Sequence, residues 1–459
     1  MKLTLELPIG CDAERRWVAD TLLGTFLGLS FQIRITDGQE VRLTDGQTHI
    51  RLPDIFFADI RENWGRRNAY RIQPGLLWSV EQLPADVNTV TERVPMIFGD
   101  GEFSWSENDI RLPIDIFGSA FFLLSRYEEF VDPRRDRHDR YCARFSKVGT
   151  RALLERPLVN EYLEVLWSCI AHCWPGLERT ARNGGIYVSA DVDVPYSPGN
   201  RNIPRLIRRI GGDLIRRRSL TAPVRSVASY GLSKFGYYGA DPYFRWLDWL
   251  MTVNERAGNQ VQFYFISDRP AGTIDGSYDL HEPIIQQLMS DILSRGHHIG
   301  LHPSYTTYQN LEQMVRERSR LEEAVRKIAP DYNALKVRQH FLRWSVSETA
   351  HHHESSGFLA DSTLGYADAP GFRTGVCYPY QMYDLHRRQP LKIWQEPLVA
   401  MEVSVFGKEY LNVENHDAAL DILLKLKQNC LRFGGDFRLL WHNNHLVTEA
   451  DRAVYEQLI

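Results

Sequence analysis

The sequence predicts an α/β protein, with a (β/α) barrel carried behind a smaller mixed α/β domain. Three observations lead there. After Gly184-Gly185, apolar runs of strand length alternate with longer stretches of helical periodicity, the pattern of βαβ units. Several of those runs end in carboxylates or histidines, at the strand ends where α/β enzymes place their chemistry. The first 110 residues instead show short strand-like runs punctuated by turns. A length of 459 residues fits two or three domains, and the sequence places an accessory domain at 1–183 and the barrel at 184–459.

In the first part, strands are expected at Lys2–Leu7, Ser30–Thr36, His49–Leu52 and Pro95–Phe98. Thr44-Asp45-Gly46 and Gly99-Asp100-Gly101 supply turns between them. Helices are expected at about 115–130, with Phe117, Ala120, Phe121 and Leu124 on a broad apolar face, and at 157–173. Beyond the boundary come a strand ending Tyr187-Val188-Ser189-Ala190-Asp191-Val192-Asp193, an insertion at about 197–240, and a buried strand Val261–Ile266. A helix from Glu282 to Arg295 stops at Gly296, and a charged helix runs from Asn310 to Ile328. Strands Leu335–Phe341 and Leu398–Val405, a helical stretch Ser345–Ser356 and a strand-like run Arg438–Trp441 complete the series.

Composition narrows the function. Apolar residues at 43% and charged residues at 24% are ordinary for a globular protein, and a net charge of −4 speaks against general nucleic-acid binding. Six scattered cysteines form no CxxC motif, which fits a reducing compartment. Met1–Glu6 alternates like a strand and lacks the apolar core of a signal peptide. No apolar run approaches the roughly 20 residues of a transmembrane helix. A cytoplasmic location without a transmembrane segment is therefore expected. Arg201, Arg205, Arg208, Arg209, Arg216, Arg217, Arg218 and Arg225 crowd the insertion. They can capture an anionic partner (a nucleotide diphosphate, an acidic sugar, a membrane surface) or form a solvated helix face; the solvated face is preferred. With Tyr230, Phe235, Tyr237 and Tyr238, the segment also has the make-up of a lid.

The chemistry centres on Asp191 and Asp193. Residues i and i+2 of a strand share a face, so the two carboxylates project together. A cation between them would relieve their repulsion and leave one acid as a ligand and the other as a base; the alternative is a loop with two solvated aspartates. Arg338, on an expected buried strand, needs an anion, and Asp191 is its natural partner. His340 lies two residues further on the same face. His442 ends a strand-like run. His351-His352-His353 falls in a helical stretch where consecutive side chains diverge, so no metal cluster is expected there. Glu396 and Glu402 lie near the expected Leu398–Val405 strand, and no role is assigned to either.

This order of motifs resembles the polysaccharide deacetylase (NodB-homology) family over roughly residues 184–445. Asp191 and Asp193 match its first motif, which implies Asp191 as general base and Asp193 as metal ligand. Gly296-His297-His298-Ile299-Gly300-Leu301-His302 resembles the second and implies His302 as a metal ligand. Arg338-Gln339-His340-Phe341 stands at the third, implying that Arg338 holds the base and that the Phe341 N–H serves an oxyanion. Asp361 resembles the fourth, whose acid tunes the catalytic histidine, and Leu440-Trp441-His442 the last, whose histidine is the general acid. One position departs: the family's second metal histidine, four residues after the first, is Thr306 here. His340 is the replacement candidate, and His298, His442 and His445 are the other choices. Two histidines and a carboxylate suit a divalent metal, zinc above all. Asp115–Glu129 and Arg156–Tyr162 are similar to a subgroup with an extra N-terminal domain, associated with bacterial surface-polysaccharide biosynthesis. The resemblance implies removal of an N-acetyl group from an amino sugar of O-antigen or capsule, borne on a sugar nucleotide or lipid-linked glycan. A sugar-binding scaffold without activity, or a hydrolase of another amide, are the alternatives.

Overall fold

The structure is a computed structural model, and it describes residues 2–459 except 73–74, 84–85, 201–202, 216–220 and 277. Arg201, Arg216, Arg217 and Arg218 of the insertion thus lie outside the described residues.

Two sheets organise the chain. The N-terminal sheet is six-stranded, in the order Phe31–Thr36, Leu3–Pro8, Glu40–Thr44, His49–Pro53, Asp109–Arg111, Ser104–Trp105. Period-two alternation puts Leu3, Leu5 and Leu7 with Val41, Leu43, Ile50 and Leu52 on its buried face. Met96, Ile97 and Phe98 are core residues rather than strand. Only Arg93–Pro95 pairs, with Leu77–Ser79 in a separate ribbon. The helix expected at 115–130 is broken into Ile116–Leu124 and Tyr127–Val131. The break is at Arg126, which takes φ 61 and sinks its guanidinium into the interior. Asp115 caps the first helix through the Gly118 N–H.

The larger sheet has nine strands, ordered Tyr380–Asp384, Gln389–Gln395, Ala360–Asp361, Lys336–Val337, His298–Leu301, Val261–Phe265, Ile186–Val192, Phe437–Leu440, Ala400–Met401. Every pairing is parallel except Tyr380–Asp384 with Gln389–Gln395. Strands buried on both faces read as apolar runs, and Val188, Ala190, Val192, Phe263, Phe265, Ile299 and Leu439 form the centre. Among the parallel strands, sheet order follows chain order, and Phe437–Leu440, the last in the chain, pairs with Ile186–Val192, the first. Among the described residues no ladder joins Gln389–Gln395 to Ala400–Met401, so the backbone bonding does not close a ring.

Two expected strands are much shorter than their apolar runs. Leu335–Phe341 keeps only Lys336–Val337 before turning at His340–Leu342. Leu398–Val405 keeps Ala400–Met401 and passes into a helix at Glu402–Phe406. In both cases the residues leaving the ladder carry the side chains described below.

The N-terminal part is fastened to the rest by a buried charge cluster. Glu129 accepts from Arg126 at 2.8 Å and from Arg373 at 2.6 Å, all three being buried. Burial alone would raise the Glu129 pKa, but the two guanidiniums bring it down to about 2. All six cysteines are free. Among the described residues no helix is long and apolar enough to cross a membrane.

Candidate metal and catalytic site

The functional side chains converge at the carboxyl ends of the parallel strands. Asp191 and Asp193 terminate Ile186–Val192, His302 follows His298–Leu301, and Arg338 and His340 follow Lys336–Val337. Glu402 follows Ala400–Met401, and His442 follows Phe437–Leu440.

Asp193, His302 and His340 each offer one ligand atom, and these lie within 4.8 Å of one another. His302 Nε2 is 3.3 Å from Asp193 Oδ1, and His340 Nε2 is 3.8 Å from it. Both rings are aimed by their other nitrogen. His302 Nδ1–H donates to the Arg338 carbonyl at 2.5 Å, and His340 Nδ1–H to Asp275 at 3.3 Å. Such outer partners fix the tautomer and leave Nε2 free for a cation. Asp193 Oδ1 is buried and makes no hydrogen bond, an orphaned acceptor that a cation would satisfy. Burial raises the Asp193 pKa, but the positive charge that His340, then His302 and His442, carry when protonated lowers it on balance, as a bound cation would. The donor set therefore fits a divalent ion, with two imidazoles and one carboxylate leaving positions open.

His340 thus joins Asp193 and His302 in one cluster, while position 306 holds a threonine. The chain after His302 is not helical, because Ser304 is pinned by buried Glu317 through its N–H at 2.7 Å. A residue at 306 is therefore not stacked one helical turn above His302. His298 is exposed and pairs with Gln260, while His445 stands beside His442 with ring centroids 6.1 Å apart.

Asp191 is buried 3.2 Å from Arg338 Nη1 and 3.6 Å from His302 Nε2. Arg338 is fully engaged: Nη1 also donates to Ser189 Oγ, Nη2 to Ser362 Oγ and Nε to the Ser362 carbonyl, with the guanidinium 4.6 Å over the Tyr264 ring. A planar fork held on three sides fixes the carboxylate it faces.

On the other side of Asp193, His442 Nε2 stands 3.7 Å from Asp193 Oδ2. Its Nδ1–H donates to Glu402 at 2.6 Å, and its backbone N–H to the same oxygen at 3.1 Å. Burial disfavours the imidazolium, but Glu402 outweighs it and holds the pKa up at about 10. The acid supporting His442 is therefore Glu402, a correction to the expectation of Asp361. Asp361 is buried elsewhere, accepting from the Thr363 N–H at 2.6 Å with Oδ2 3.3 Å from His353 Nδ1. The helical turn at Glu402–Phe406 swings the Glu402 carboxylate toward the site. Glu402→Gln should lower turnover about 100-fold, within the range of general acid catalysis, with metal content unchanged. Asp361→Asn should lower the melting temperature and leave kcat within a few-fold; steady-state kinetics and thermal unfolding of both variants check the assignment.

The cavity over these residues is about 180 Å³ and is lined further by Phe341, Leu342, Met401, Tyr410 and Arg140. Phe341 (φ 60, ψ 13) and Leu342 (φ 54) are both left-handed, a conformation costing roughly 1–2 kcal/mol per non-glycine residue. Contacts from the N-terminal part hold Phe341 there. Arg140 Nη1 donates to the Phe341 carbonyl at 3.1 Å, and the His138 ring lies 4.8 Å from the Phe341 ring. Among the described residues the Phe341 N–H has no protein acceptor. Asp275, Arg140 and His138 were not foreseen from the sequence. Asp275 reads there as an Asp-Gly turn, and nothing local marks the other two.

The comparisons with known proteins add the following. A family model described as a family of unknown function (DUF7033) matches residues 4–175, short of the Asp193, His302 and His340 cluster. No curated protein matches the chain. Among solved structures, the chain is similar to one described as a polysaccharide deacetylase from Mycobacterium smegmatis, with 14% identity, coverage of 61% of this chain and 83% of the other, and a TM-score of 0.37. One so described from Pseudomonas aeruginosa PAO1 gives 14%, 62%, 85% and 0.36. Puue allantoinase gives 14%, 62%, 84% and 0.35. Likenesses this distant leave the assignment to the side chains.

Proposed function

We propose that the chain is a metal-dependent amide hydrolase that removes the N-acetyl group of an amino sugar. The observation that carries this reading is one arrangement: a carboxylate–histidine trio able to hold a cation, with Asp191 on one side and His442 on the other. Amide hydrolysis needs a base for water and an acid for the departing amine, placed apart across one reacting carbon. A divalent ion held by Asp193, His302 and His340, zinc by its ligand set, supplies Lewis acidity.

The chain's own residues do the rest. Asp191, held by Arg338, takes a proton from the attacking water. The Phe341 N–H, fixed by the left-handed turn, is the donor for the oxygen on which charge develops. His442 gives its Nε2 proton to the amine nitrogen as the C–N bond breaks, and Glu402 stabilises the imidazolium and sets its tautomer. Acetate and the free amino sugar leave. The small cavity suits an acetamido group and its immediate ring, smaller than the 300–1,000 Å³ or so of ordinary ligand clefts.

The finer reading has these parts. The parallel sheet is a distorted (β/α) barrel interrupted at one seam. The chain acts in bacterial surface-polysaccharide biosynthesis, in the cytoplasm, on a sugar nucleotide or lipid-linked glycan. The motif order of residues 184–445 supports the barrel, the segments Asp115–Glu129 and Arg156–Tyr162 support the surface-polysaccharide setting, and the six scattered cysteines support the cytoplasmic location. The test is acetate release from a panel of N-acetylhexosamines and their nucleotide conjugates by zinc-loaded protein, before and after chelation. Release that disappears on chelation and returns with zinc is expected. Zinc-loaded protein that frees no acetate from any of them refutes the sugar assignment.

A further inference from the structure

The insertion after Asp193 folds into two helices, Ile203–Ile215 and Thr221–Ser233, and the amphipathicity of the second is reversed. In the second helix Ser226, Ser229 and Ser233, at i, i+3 and i+7, are buried, Ser229 against Asn200 at 2.8 Å. Val224 and Val227 point outward with exposures of 70% and 52%. In the first helix Ile203 and Ile207, one turn apart, are exposed, and beyond the second helix so are Phe235 (89%) and Tyr237. Seven of the seventeen exposed large apolar residues among the described residues fall within 203–237. A helix pair that only covers a soluble body buries its aliphatic side chains and exposes its serines.

Charge identifies the occupant. Arg208, Arg225 and Lys234 are exposed in the same segment. Residues 197–240 contain nine Lys and Arg against the single acid Asp213, in a chain of net charge −4. Aliphatic, aromatic and basic side chains together on a helix surface are what an anionic lipid interface takes: apolar groups enter the acyl boundary and cations stay with the headgroups. A protein groove would use the apolar set without so large an excess of charge. A soluble polyanion would use the charge without the aliphatics.

We infer that this hairpin docks the protein on a membrane surface bearing anionic lipid. Its base is fixed, since Asp241 accepts from the Ser197 N–H at 2.9 Å. The hairpin also springs from the strand end that carries Asp191 and Asp193, so docking holds that end of the sheet at the bilayer. The inference goes beyond amide hydrolysis and is read without any enzymatic assay.

The experiment is cosedimentation of the full chain with vesicles of phosphatidylcholine alone and with about one-third phosphatidylglycerol, at low and high salt. Binding to the anionic vesicles at least about tenfold tighter than to the neutral ones, and weakened by salt, is expected. The pairs Val224→Ser with Phe235→Ser, and Arg208→Glu with Arg225→Glu, should each lose about tenfold or more, with melting temperature and metal content unchanged. Four outcomes overturn the inference: no vesicle binding, equal binding to both compositions, undiminished binding by folded variants, or binding to dextran sulfate but not to vesicles.

Discussion

His340→Ala is expected to leave the purified protein without stoichiometric metal, while His298→Ala and His445→Ala retain about one ion per chain. The side chains dictate this contrast. His340 Nε2 faces Asp193 at 3.8 Å, with its Nδ1 proton engaged by buried Asp275. His298 spends its Nε2 on Gln260 at an exposed edge. Loss of an outer partner costs a metal site roughly 10–100-fold in affinity, and loss of a direct ligand costs more. Asp275→Asn should therefore weaken binding by about that factor, and His340→Ala should abolish retention through purification. Elemental analysis of protein prepared without an affinity tag, followed by zinc titration against a competing chelator, measures both. Full metal content in His340→Ala would mean that another group completes the trio.

Asp191→Asn is expected to separate binding from chemistry. The amide keeps the shape of the carboxylate but cannot accept a proton from water, so turnover should fall about 10²–10⁴-fold. Asp193, His302 and His340 are untouched, so metal content should hold near that of the wild type. A second effect accompanies it. Arg338 is buried and loses the carboxylate it faces, and breaking a buried pair from one side costs about 3–5 kcal/mol. Denaturant unfolding should show that loss, and a lower midpoint with metal retained and turnover gone is the expected set. Turnover equal to the wild type would remove Asp191 from the role of base.

The sequence reveals most where geometry is local. Asp191 and Asp193 share a side because strand periodicity is two, and Arg338 and His340 approach one centre for a related reason, although the strand stops at Val337 and a turn delivers His340. The apolar runs also mark the parallel strands and so the end where the site forms. The reading fails where a side chain's partner comes from a distant element. Asp361 is placed beside His442 by motif order, whereas packing gives His442 to Glu402. The run Leu398–Val405 has the composition of a strand, but its second half becomes a helix that brings the Glu402 carboxylate to the imidazole.

By itself, then, the sequence determined the α/β class, the strand ends that bear the acids, and a pool of histidines for a metal. Backbone chirality and side-chain alternation act over a few residues and need no partner. Only the tertiary structure decided which histidine completes the trio, that Asp275 aims it and Glu402 supports the opposite imidazole. The tertiary structure also decided that Arg140 and His138, some 200 residues away in sequence, hold the left-handed turn at Phe341. Those choices depend on how separate elements pack, and distances across packed elements are not written in any local pattern.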